Sequence, residues 1–471
     1  MRKPLLSILV ALYNEEEFIG ALLRRVLAAE LPTGMEREVI VVDDGSTDGS
    51  AEVVEEAVRN SSGVISLIRH DRNRGKAAAI RTALEKARGE FTIIQDADLE
   101  YDPNEYPFLL RPLLDGEADA VFGSRFAASG ERRVLYFWHS LANWILTTLC
   151  NVVADLNLTD METCYKAFRT ALVQSIPIRS NRFGIEPELT IKLARRDARI
   201  FEVPIRYHGR TYEEGKKVRL RDAIEALYVI LKNALTRDIY KDSGPKTLES
   251  ISIASNFNAW MAETIRPHLG KSVLEIGAGI GNMTRLFATG RKHYVASDID
   301  TEHLSRLSSK FRHRPNFQVR RCDLGVPEDF VELAGQMDSV VCLNVLEHVK
   351  DDVTGLRSIY GTLKAGGKAI ILVPHGQEIY GSLDTALGHQ RRYSQQELRQ
   401  KMEQAGFRVE CILEFNRISR PAWYVSGRLL KQTSLSIGAM RFFDHLVWLW
   451  RLLDRIFPWG PTSIVAIGRK A

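Results

Sequence analysis

The sequence has no apolar run long enough to cross a membrane. A spanning helix needs roughly 18 or more uninterrupted apolar residues, and polar side chains interrupt every apolar stretch of this 471-residue chain before that length is reached. The N-terminal apolar run is short and leads directly into charged residues, so a signal peptide is not expected. These absences favour a cytoplasmic location.

Cysteine is scarce and follows no metal-binding pattern. The chain has five cysteines, and no two of them form a C-x-x-C pair. We therefore expect neither a disulfide framework nor a zinc site, and we expect a reducing compartment.

Neither sign of charge is in large excess. The formal net charge is +5, with 26% charged residues, and this imbalance is too small to indicate nucleic acid as a partner. It is compatible with an anionic partner such as a phosphate group or a membrane surface. The chain is too long for one core, so its length predicts two or three domains.

The first half contains an alternation of strands and helices. Leu5 to Ala11 has the pattern of a strand, and apolar residues at helical spacing follow it. The same order repeats from Glu38 to Val42 and from Val64 to Ile68. This alternation predicts a doubly wound parallel sheet, whose ligands bind at the carboxyl ends of the strands.

The fourth strand, Phe91 to Ile94, is followed by two carboxylates one residue apart, Asp96 and Asp98. Two buried charges at a strand end are costly unless a positive group compensates them. A divalent cation with a phosphate ligand is the usual partner. The alternative is that the two acids only cap the turn before Pro103.

Several segments of this half resemble a family 2 glycosyltransferase with the GT-A fold. They are ALYNEEEFI, VVDDGSTDGS, NRGKAAAIRTALEKARGEF, IIQDADLEYDP, FGSRF, DMETCYKAFR and the stretch from RFGIEPEL to VPIRYHGRTYEEGKK. The later segments are most similar to polyprenyl-phosphate sugar synthases of the dolichyl-phosphate mannose synthase type. The resemblance covers residues 1–235, and Ala11 stands where such enzymes often carry proline.

This resemblance implies a site for Mg²⁺ or Mn²⁺ formed by Asp96, Asp98 and Glu100. The ion would neutralise the diphosphate leaving group of a nucleotide sugar, a GDP- or UDP-hexose. Asp44 is implied to meet the nucleobase, with a turn role before Gly45 as the alternative. The residues implied to bind the nucleotide sugar are Tyr13, Asn14, Glu15, Asp44, Lys76 and Asp96.

The implied acceptor is polyprenyl phosphate, and the implied transfer is inverting. A lipid phosphate is already an anion, so it needs positioning and charge screening more than a general base. Asp98, Arg125 and Arg210 are the predicted catalytic residues. The candidates for holding the acceptor phosphate are Arg125, Arg132, Arg133, Arg210 and Lys217. A solvated surface charge is the alternative for each of them, and a sugar hydroxyl, with a carboxylate as base, is the alternative acceptor.

The stretch from Val134 to Leu156 is rich in aromatic and aliphatic residues but contains His139, Asn143 and Asn151. It is a poor membrane span. A helix in the plane of the membrane interface and a core or dimer helix are the two interpretations. We therefore expect either a cytoplasmic protein or one that binds peripherally to the inner face of the plasma membrane.

A linker is predicted at residues 236–254, where proline, glycine, serine and lysine cluster. After it, the strand Ser272 to Ile276 leads to glycines at 277, 279 and 281. The next strand, His293 to Ser297, ends at Asp298. An acid about 20 residues past the first glycine can bind both hydroxyls of a ribose. An NAD-binding domain is the competing interpretation of this pattern.

Residues 255–471 resemble a class I S-adenosylmethionine-dependent methyltransferase, on this glycine motif, the segment LNVLEHV and the closing strand TSIVAIGRK. The expected fold class is α/β with two doubly wound domains, a GT-A fold over 1–235 and a Rossmann-like methyltransferase fold over 255–471. The resemblance implies that Asp298 holds the ribose and that Asn344 faces the methyl-transfer site. The implied S-adenosylmethionine-binding residues are Glu275, Gly277, Gly279, Gly281, Asp298, Asp323, Leu324 and Asn344.

The methyl acceptor is not indicated by any motif. His348, His375 and His389 are candidates for a base, with structural roles as the alternative. HQRRYS, residues His389 to Ser394, is a candidate site for an anionic acceptor. We expect a bifunctional enzyme acting on lipid-linked or surface glycan intermediates. A non-catalytic half that only binds ligands or recruits partners is the alternative.

Overall fold

The structure is a computed structural model, and it describes residues 3–127, 133–134, 136–209, 220–236, 238–241, 254–433, 437–454 and 456–471. The chain divides into two compact units, Met1–Lys241 and Asp242–Ala471. Within the linker predicted at 236–254, residues 237 and 242–253 lie outside the described residues, so the domain boundaries stay predictions.

The first unit is built around a seven-stranded sheet. Its strands are β1 Leu5–Leu12, β2 Glu36–Asp43, β3 Ile65–Arg69, β4 Phe91–Asp96, β5 Ala120–Ser124, β6 Lys166–Arg169 and β7 Ile200–Pro204. Its helices are α1 Glu16–Ala28, α2 Ser50–Asn60, α3 Lys76–Lys86, α4 Tyr106–Leu114, α5 Phe137–Ala154, α6 Thr170–Ser175, α7 Ile185–Arg195 and α8 Leu220–Leu235, with a short 3-10 helix at Pro103–Glu105. The strand order is β3-β2-β1-β4-β6-β5-β7.

The centre of this sheet is apolar because both of its faces are covered. β1 pairs in parallel with β4, with Ile8 opposite Ile93, and both side chains are fully buried. Helix α1 buries Ile19, Leu22 and Leu23, the spacing expected of one face of a helix. The doubly wound arrangement predicted from the sequence is confirmed.

One strand of the sheet runs against the others. β6 is antiparallel to both β4 and β5, so the sheet is mixed and the expectation of a wholly parallel sheet is wrong. The alternation of strands and helices does not show the direction of β6. The connection from β5 to β6 starts and ends at the same edge of the sheet, so β6 runs antiparallel to β5. Mixed sheets with an antiparallel strand are common among doubly wound folds.

The second unit contains the other seven-stranded sheet. Its strands are β8 Ser272–Ile276, β9 His293–Asp298, β10 Phe317–Arg321, β11 Met337–Leu343, β12 Leu363–Pro374, β13 Arg408–Phe415 and β14 Ser463–Arg469. Its helices are α9 Ser255–Ile265, α10 Thr284–Phe287, α11 Thr301–Phe311, α12 Asp352–Thr362, α13 Ser382–Leu387, α14 Gln395–Gln404, α15 Arg420–Tyr424, α16 Ile437–His445 and α17 Val447–Leu453. Short 3-10 helices lie at Arg266–His268, Pro327–Leu333, Leu346–His348 and Gln377–Ile379, and a π-helical turn lies at Val425–Leu429.

The strand order of this sheet is β10-β9-β8-β11-β12-β14-β13, and β14 is antiparallel to both of its neighbours. Successive side chains on its central strands point to opposite faces. Leu274 and Val340 belong to one apolar cluster, whereas Val273 and Val341 belong to the cluster on the other face. A buried sheet with helices on both faces requires this continuous apolar composition.

Within the residues that the structure describes, no helix combines the length and the apolar composition needed to cross a bilayer.

Replacing Leu274 by alanine should destabilise the second unit by about 2–5 kcal/mol, because the side chain is fully buried and its removal leaves a cavity. The matched control is Leu452→Ala on α17, where the side chain is 67% exposed and the change should cost about 0.5 kcal/mol or less. Urea unfolding should be followed by hydrogen exchange on peptides from β8 and β11, which reports on this unit alone. Equal effects of the two substitutions would contradict the core described here.

Candidate active sites

The polar loops of the first unit meet where its strand order reverses, between β1 and β4. In an open α/β sheet, ligands bind outside the carboxyl ends of the strands at such a point. Tyr13, Asn14 and Glu15 follow β1, and Asp98 follows β4. The structure therefore brings the first and fourth predicted loops to one edge of the sheet.

Asn14 connects the loop after β1 to the loop after β2. Its φ of 52° lies in the left-handed region, which asparagine tolerates better than most residues. Its Oδ1 accepts a hydrogen bond from the backbone N–H of Thr47 at 2.8 Å, and its own N–H donates to Ser46 Oγ at 3.0 Å. The backbone N–H of Glu15 donates to Ser50 Oγ at 2.8 Å. These bonds fix the two loops relative to each other.

Asp44 is buried and holds the loop that precedes α3. Its carboxylate accepts hydrogen bonds from His70 Nδ1 at 2.7 Å and from the backbone N–H groups of Arg74 at 2.9 Å and Gly75 at 2.6 Å. This geometry positions the start of α3, where Lys76 is the first residue. Contact between Asp44 and a nucleobase stays a prediction.

Lys76 forms a bridge between two acids. Its Nζ lies 2.8 Å from Asp96 Oδ1 and 3.2 Å from Glu186 Oε1. Burial alone would lower the pKa of Lys76, but the charges around it, that of Asp96 foremost, raise this pKa well above its usual range. Lys76 is therefore a permanent cation at the edge of the sheet.

Asp98 lies two residues after Asp96 and is buried. Its Oδ1 accepts the backbone N–H of Glu100 at 3.0 Å. Glu100 Oε2 accepts the hydroxyl of Tyr207 at 2.8 Å. Among the described residues, Asp96, Asp98 and Glu100 do not bring three ligand atoms within 4.8 Å of one another. Two carboxylates completed by substrate phosphates and water are nevertheless the usual setting for Mg²⁺, so the donor set fits a divalent ion of this kind.

Arg125 is held by Asp160. Its Nε lies 2.6 Å from Asp160 Oδ2 and its Nη2 lies 2.7 Å from Oδ1, a bidentate pair. The guanidinium also lies 5.1 Å from the ring centre of Tyr207, and Nη2 contacts Asn143 Oδ1 of α5 at 3.4 Å. Arg125 is thus fixed beside the ring that contacts Glu100.

The other basic residues predicted to hold the acceptor phosphate are not shown at the candidate site. Arg133 is exposed and donates to the backbone carbonyl of Gly209 at 2.8 Å. Arg132, Arg210 and Lys217 lie outside the described residues. Their predicted contact with an acceptor phosphate stays a prediction.

In the second unit, the glycine-rich loop follows β8. Gly277, Gly279 and Gly281 all have positive φ, at 71°, 54° and 83°, a conformation that other residues rarely adopt. A Cβ atom on Gly277 would also overlap the side chain of Val345. The backbone N–H of Gly279 donates to Asp298 Oδ2 at 2.8 Å, so the loop is tied to the end of β9.

A cavity of about 1220 Å³ opens beside this loop. Burial alone would raise the pKa of Asp298, but a hydrogen bond from His303 lowers it below its usual value. Asp323 accepts the backbone N–H of Gly325 at 2.8 Å, and Asn344 has a left-handed φ of 52°. The residues predicted to bind S-adenosylmethionine that line the cavity are Glu275, Gly277, Gly279, Asp298, Asp323, Leu324 and Asn344. Gly281 is not among the lining residues.

The same cavity is lined by His348 and His389. His389 Nε2 lies 3.7 Å from Glu347 Oε1, and its Nδ1 lies 3.0 Å from Asp384 Oδ1. Glu347 is fully buried, and this burial raises its pKa to about 8. The third candidate, His375, uses its Nδ1 to bond the backbone carbonyl of Tyr393 at 2.8 Å.

The predicted anion site in HQRRYS is occupied by internal ion pairs. Arg391 Nη1 lies 3.0 Å from Asp352 Oδ2, and Arg392 Nε lies 2.8 Å from Asp384 Oδ1. Arg392 is also buried. These contacts favour a structural role for both arginines.

Comparison with known proteins identifies both units. Residues 7–176 match the family model described as glycosyl transferase family 2, and residues 274–369 match a model described as a methyltransferase domain. The chain is a family 2 glycosyltransferase domain fused to a methyltransferase domain. With these matches, the two sheets correspond to the GT-A and class I methyltransferase folds predicted from the sequence.

Two curated proteins are similar to part of the chain. Dodecaprenyl-phosphate galacturonate synthase from Rhizobium johnstonii is 26% identical over 211 residues, which are 45% of this chain and 61% of that enzyme. Undecaprenyl-phosphate 4-deoxy-4-formamido-L-arabinose transferase from Pseudomonas aeruginosa is 27% identical over 326 residues, which are 69% of this chain and 91% of that enzyme. The chain thus spans less than two thirds of the length of the Rhizobium enzyme.

Two solved structures show a weaker likeness. Glucosyl-3-phosphoglycerate synthase from Mycobacterium tuberculosis, in complex with Mn²⁺, UDP and phosphoglyceric acid, is 20% identical. The match covers 51% of this chain and 81% of that one, with a TM-score of 0.39. An S-adenosylmethionine dependent methyltransferase from Mesorhizobium loti is 14% identical. That match covers 45% of this chain and 98% of the other, with a TM-score of 0.33.

Two buried acids of the glycosyltransferase domain, Glu186 and Asp160, were not predicted from the sequence. They are the partners of Lys76 and Arg125. Both acids stand in segments that carry the family resemblance, GIEPEL and DMETC, which was the available signal. The pairing itself depends on residues far apart in the chain, so it could not be inferred from spacing.

Glu347 and Asp384 were missed in the methyltransferase domain. Glu347 stands beside His348 in LNVLEHV, and Asp384 lies five residues before His389. Neither spacing identifies a site, because acids beside histidines are common on surfaces. Burial of both acids is what distinguishes them.

Glu275 makes the stability of the methyltransferase domain depend on pH. Burial raises its pKa from 4.5 to about 7, although Thr284 and Tyr294 donate hydrogen bonds that oppose this. Between these values the folded domain keeps a proton that the unfolded chain releases, so the unfolding free energy falls as pH rises.

We therefore expect Glu275→Gln to gain stability relative to the parent protein between pH 4.5 and pH 8, by on the order of 2–3 kcal/mol. The measurement is urea unfolding at several pH values, followed by hydrogen exchange on β8 peptides. Glu328→Gln, a change at an exposed acid, is the control and should show no such trend. A pH-independent difference for Glu275→Gln would contradict the raised pKa.

Proposed function

We propose that the glycosyltransferase domain transfers a hexose from a GDP- or UDP-sugar to polyprenyl phosphate, with inversion and with Mg²⁺ or Mn²⁺. We propose that the methyltransferase domain uses S-adenosylmethionine to methylate a glycan or lipid-linked acceptor. The observation that carries the first proposal is the group formed by Lys76, Asp96 and Asp98 at the point where the strand order reverses.

Asp98 and Asp96 would hold the divalent ion, together with the diphosphate of the donor. When bound, such an ion supplies Lewis-acid stabilisation of the leaving diphosphate. Lys76 keeps Asp96 in position and adds a positive charge beside the same phosphates. The loops that Asn14 and Asp44 hold in place would receive the nucleoside.

A lipid phosphate acceptor needs a fixed cation near its oxygens. Arg125 meets this need because Asp160 and Tyr207 hold its guanidinium in place. The phosphate oxygen is already ionised, so no group on the protein has to remove a proton from it. The curated relatives act, by their names, on dodecaprenyl and undecaprenyl phosphates, which supports this acceptor class.

The surface of α5 and α8 supports a lipid acceptor as well. Trp138 and Trp144 on α5 are 74% and 63% exposed, and Tyr228 on α8 is 62% exposed. These side chains contribute to an apolar surface, while Leu146 and Cys150 on another face of α5 are buried in a core cluster. Because α5 also supplies Asn143, which contacts Arg125, one helix joins this surface to the candidate site.

In the methyltransferase domain, Asp298 lies where it would accept hydrogen bonds from a ribose. The glycine loop would lie against the methionine part, and Asp323 and Leu324 would border the adenine. Nothing larger than glycine fits at Gly277 without displacing Val345, so the packing of the loop against Val345 requires glycine at this position.

Replacing Asp98 by asparagine should lower the rate of hexose transfer to polyprenyl phosphate at least about 100-fold, because a metal-binding carboxylate is lost. The assay is mass spectrometry of lipid extracts after incubation with a nucleotide sugar and Mn²⁺. The control is Asp102→Asn on the same loop, since Asp102 caps the 3-10 helix by accepting the backbone N–H of Asn104, which asparagine can also do.

Transfer by Asp98→Asn at the parental rate would overturn the metal assignment. Nucleotide release without any lipid product, in a reaction that also contains soluble glycans, would instead favour the sugar-hydroxyl acceptor.

The double substitution Trp138→Ser and Trp144→Ser should weaken binding to vesicles of anionic phospholipid by at least about tenfold, because two apolar side chains no longer enter the interface. Co-sedimentation with vesicles measures this. Phe108→Ser on α4 is the control, since Phe108 is also largely exposed. If the double variant binds vesicles normally but loses self-association in sedimentation velocity, the surface is a dimer interface.

A further inference from the structure

Two of the residues that line the methyltransferase cavity, His348 and His389, belong to a group of potential metal ligands. Glu347 and His348 lie on the 3-10 helix after β11, and His389 follows α13. One ligand atom from each of the three residues lies within 4.8 Å of the others. Among the residues that the structure describes, no other histidine, cysteine or acid forms such a group of three or more.

Hydrogen bonds define which nitrogen of each histidine carries the proton. His348 Nδ1 lies 3.1 Å from the backbone carbonyl of Gly388, and a carbonyl only accepts, so this nitrogen carries the proton. His389 Nδ1 lies 3.0 Å from Asp384 Oδ1 in the same way. Each Nε2 is therefore left with a lone pair. Histidines that bind metals typically donate their other N–H to a carbonyl or carboxylate of this kind.

Glu347 is the unusual member of the group. It is fully buried, and neither of its oxygens has a hydrogen-bond partner within the described part of the chain. The nearest histidine nitrogen, His389 Nε2, is 3.7 Å away. A buried carboxylate without a donor is costly, and a bound cation is one of the few groups that compensates it.

The group is held in place by its surroundings. The backbone N–H of Gln390 donates to the carbonyl of Glu347 at 3.0 Å, and its side chain donates to the carbonyl of His348 at 2.8 Å. Asp384 is fixed in turn by Arg392 at 2.8 Å and by Trp423 Nε1 at 3.2 Å. The two segments that carry the ligands are thus joined before any ion binds.

We propose that Glu347, His348 and His389 bind a divalent transition-metal ion, Zn²⁺ or Mn²⁺, in the methyltransferase domain. Two imidazoles and one carboxylate suit these ions and leave coordination positions open. Because His348, His389 and Asn344 line the cavity, the open positions face it.

The proposed role of the ion rests on the proposed methyltransferase function. An open position would take a hydroxyl oxygen of the methyl acceptor, and a metal-bound hydroxyl loses its proton more readily. The site would therefore select acceptors with a metal-binding oxygen, such as a glycan with neighbouring hydroxyls. This ion is separate from the one proposed for the glycosyltransferase domain.

The test uses the full chain with Asp98→Asn, which removes the competing ligand in the other domain. Calorimetric titration with Zn²⁺ should show one site, and Co²⁺ in its place should give the visible absorption of a nitrogen-coordinated ion. Glu347→Gln and His389→Ala, each added separately, should weaken binding about 100-fold or more. His313→Ala, at an exposed histidine outside the cavity, is the control and should bind as its parent does.

Equal stoichiometry and affinity in the parent, Glu347→Gln and His389→Ala proteins would overturn the metal site, as would the absence of binding to the parent. Glu347→Gln keeps the size of the side chain, so a loss of binding with an unchanged thermal melting profile is not a loss of folding. Titration with S-adenosylhomocysteine separates the two proposals. Zn²⁺ binding without nucleoside binding would support the metal site and contradict the methyltransferase function. Nucleoside binding without Zn²⁺ binding would support the methyltransferase function and contradict the metal site.

Discussion

Carboxylates at the carboxyl ends of parallel strands have to be compensated, and this requirement determines what surrounds both candidate sites. In the glycosyltransferase domain, Lys76 lies between Asp96 and Glu186. The position of Asp96 is therefore fixed by the chain itself and does not depend on a bound ion. The loop that carries Lys76 is held in turn by Asp44, whose carboxylate accepts backbone N–H groups at the start of α3. Asp44 thus positions Lys76, and Lys76 compensates the charge of Asp96.

The methyltransferase domain meets the same requirement in two different ways. Asp298 is stabilised as an anion by the N–H of Gly279 and by His303. Glu275 has only neutral hydroxyl donors, Thr284 and Tyr294, and its pKa rises to about 7. Asp298 is thus kept charged, whereas Glu275 keeps its proton to a higher pH. The carboxylate oxygens of Glu347 accept no hydrogen bond among the described residues, which is why the ion proposed for this domain is placed beside this residue.

The positions of the candidate sites could be predicted from the sequence. The spacing of apolar residues locates the strands, and the residues that follow each strand lie at the edge of the sheet where ligands bind. Asp96, Asp98 and the glycines after β8 could be found in this way. The charged partners of the site residues could not be found in this way. Arg125 and Asp160 are 35 residues apart in the chain, and their contact depends on β6 running antiparallel between β4 and β5. No local pattern encodes that direction, so the acid that holds Arg125 could not be identified from the sequence.

The two domains face different acceptor problems, and their side chains differ accordingly. A phosphate acceptor arrives ionised, so its site needs fixed cations, and Arg125 held by Asp160 is a group of this type. A hydroxyl acceptor arrives protonated, so its site needs groups that take up a proton or hold an ion that promotes its loss. His348 and His389, which form one group of potential metal ligands with Glu347, are side chains of that type. The arginine of one candidate site and the histidines of the other therefore match the charges of the two proposed acceptors.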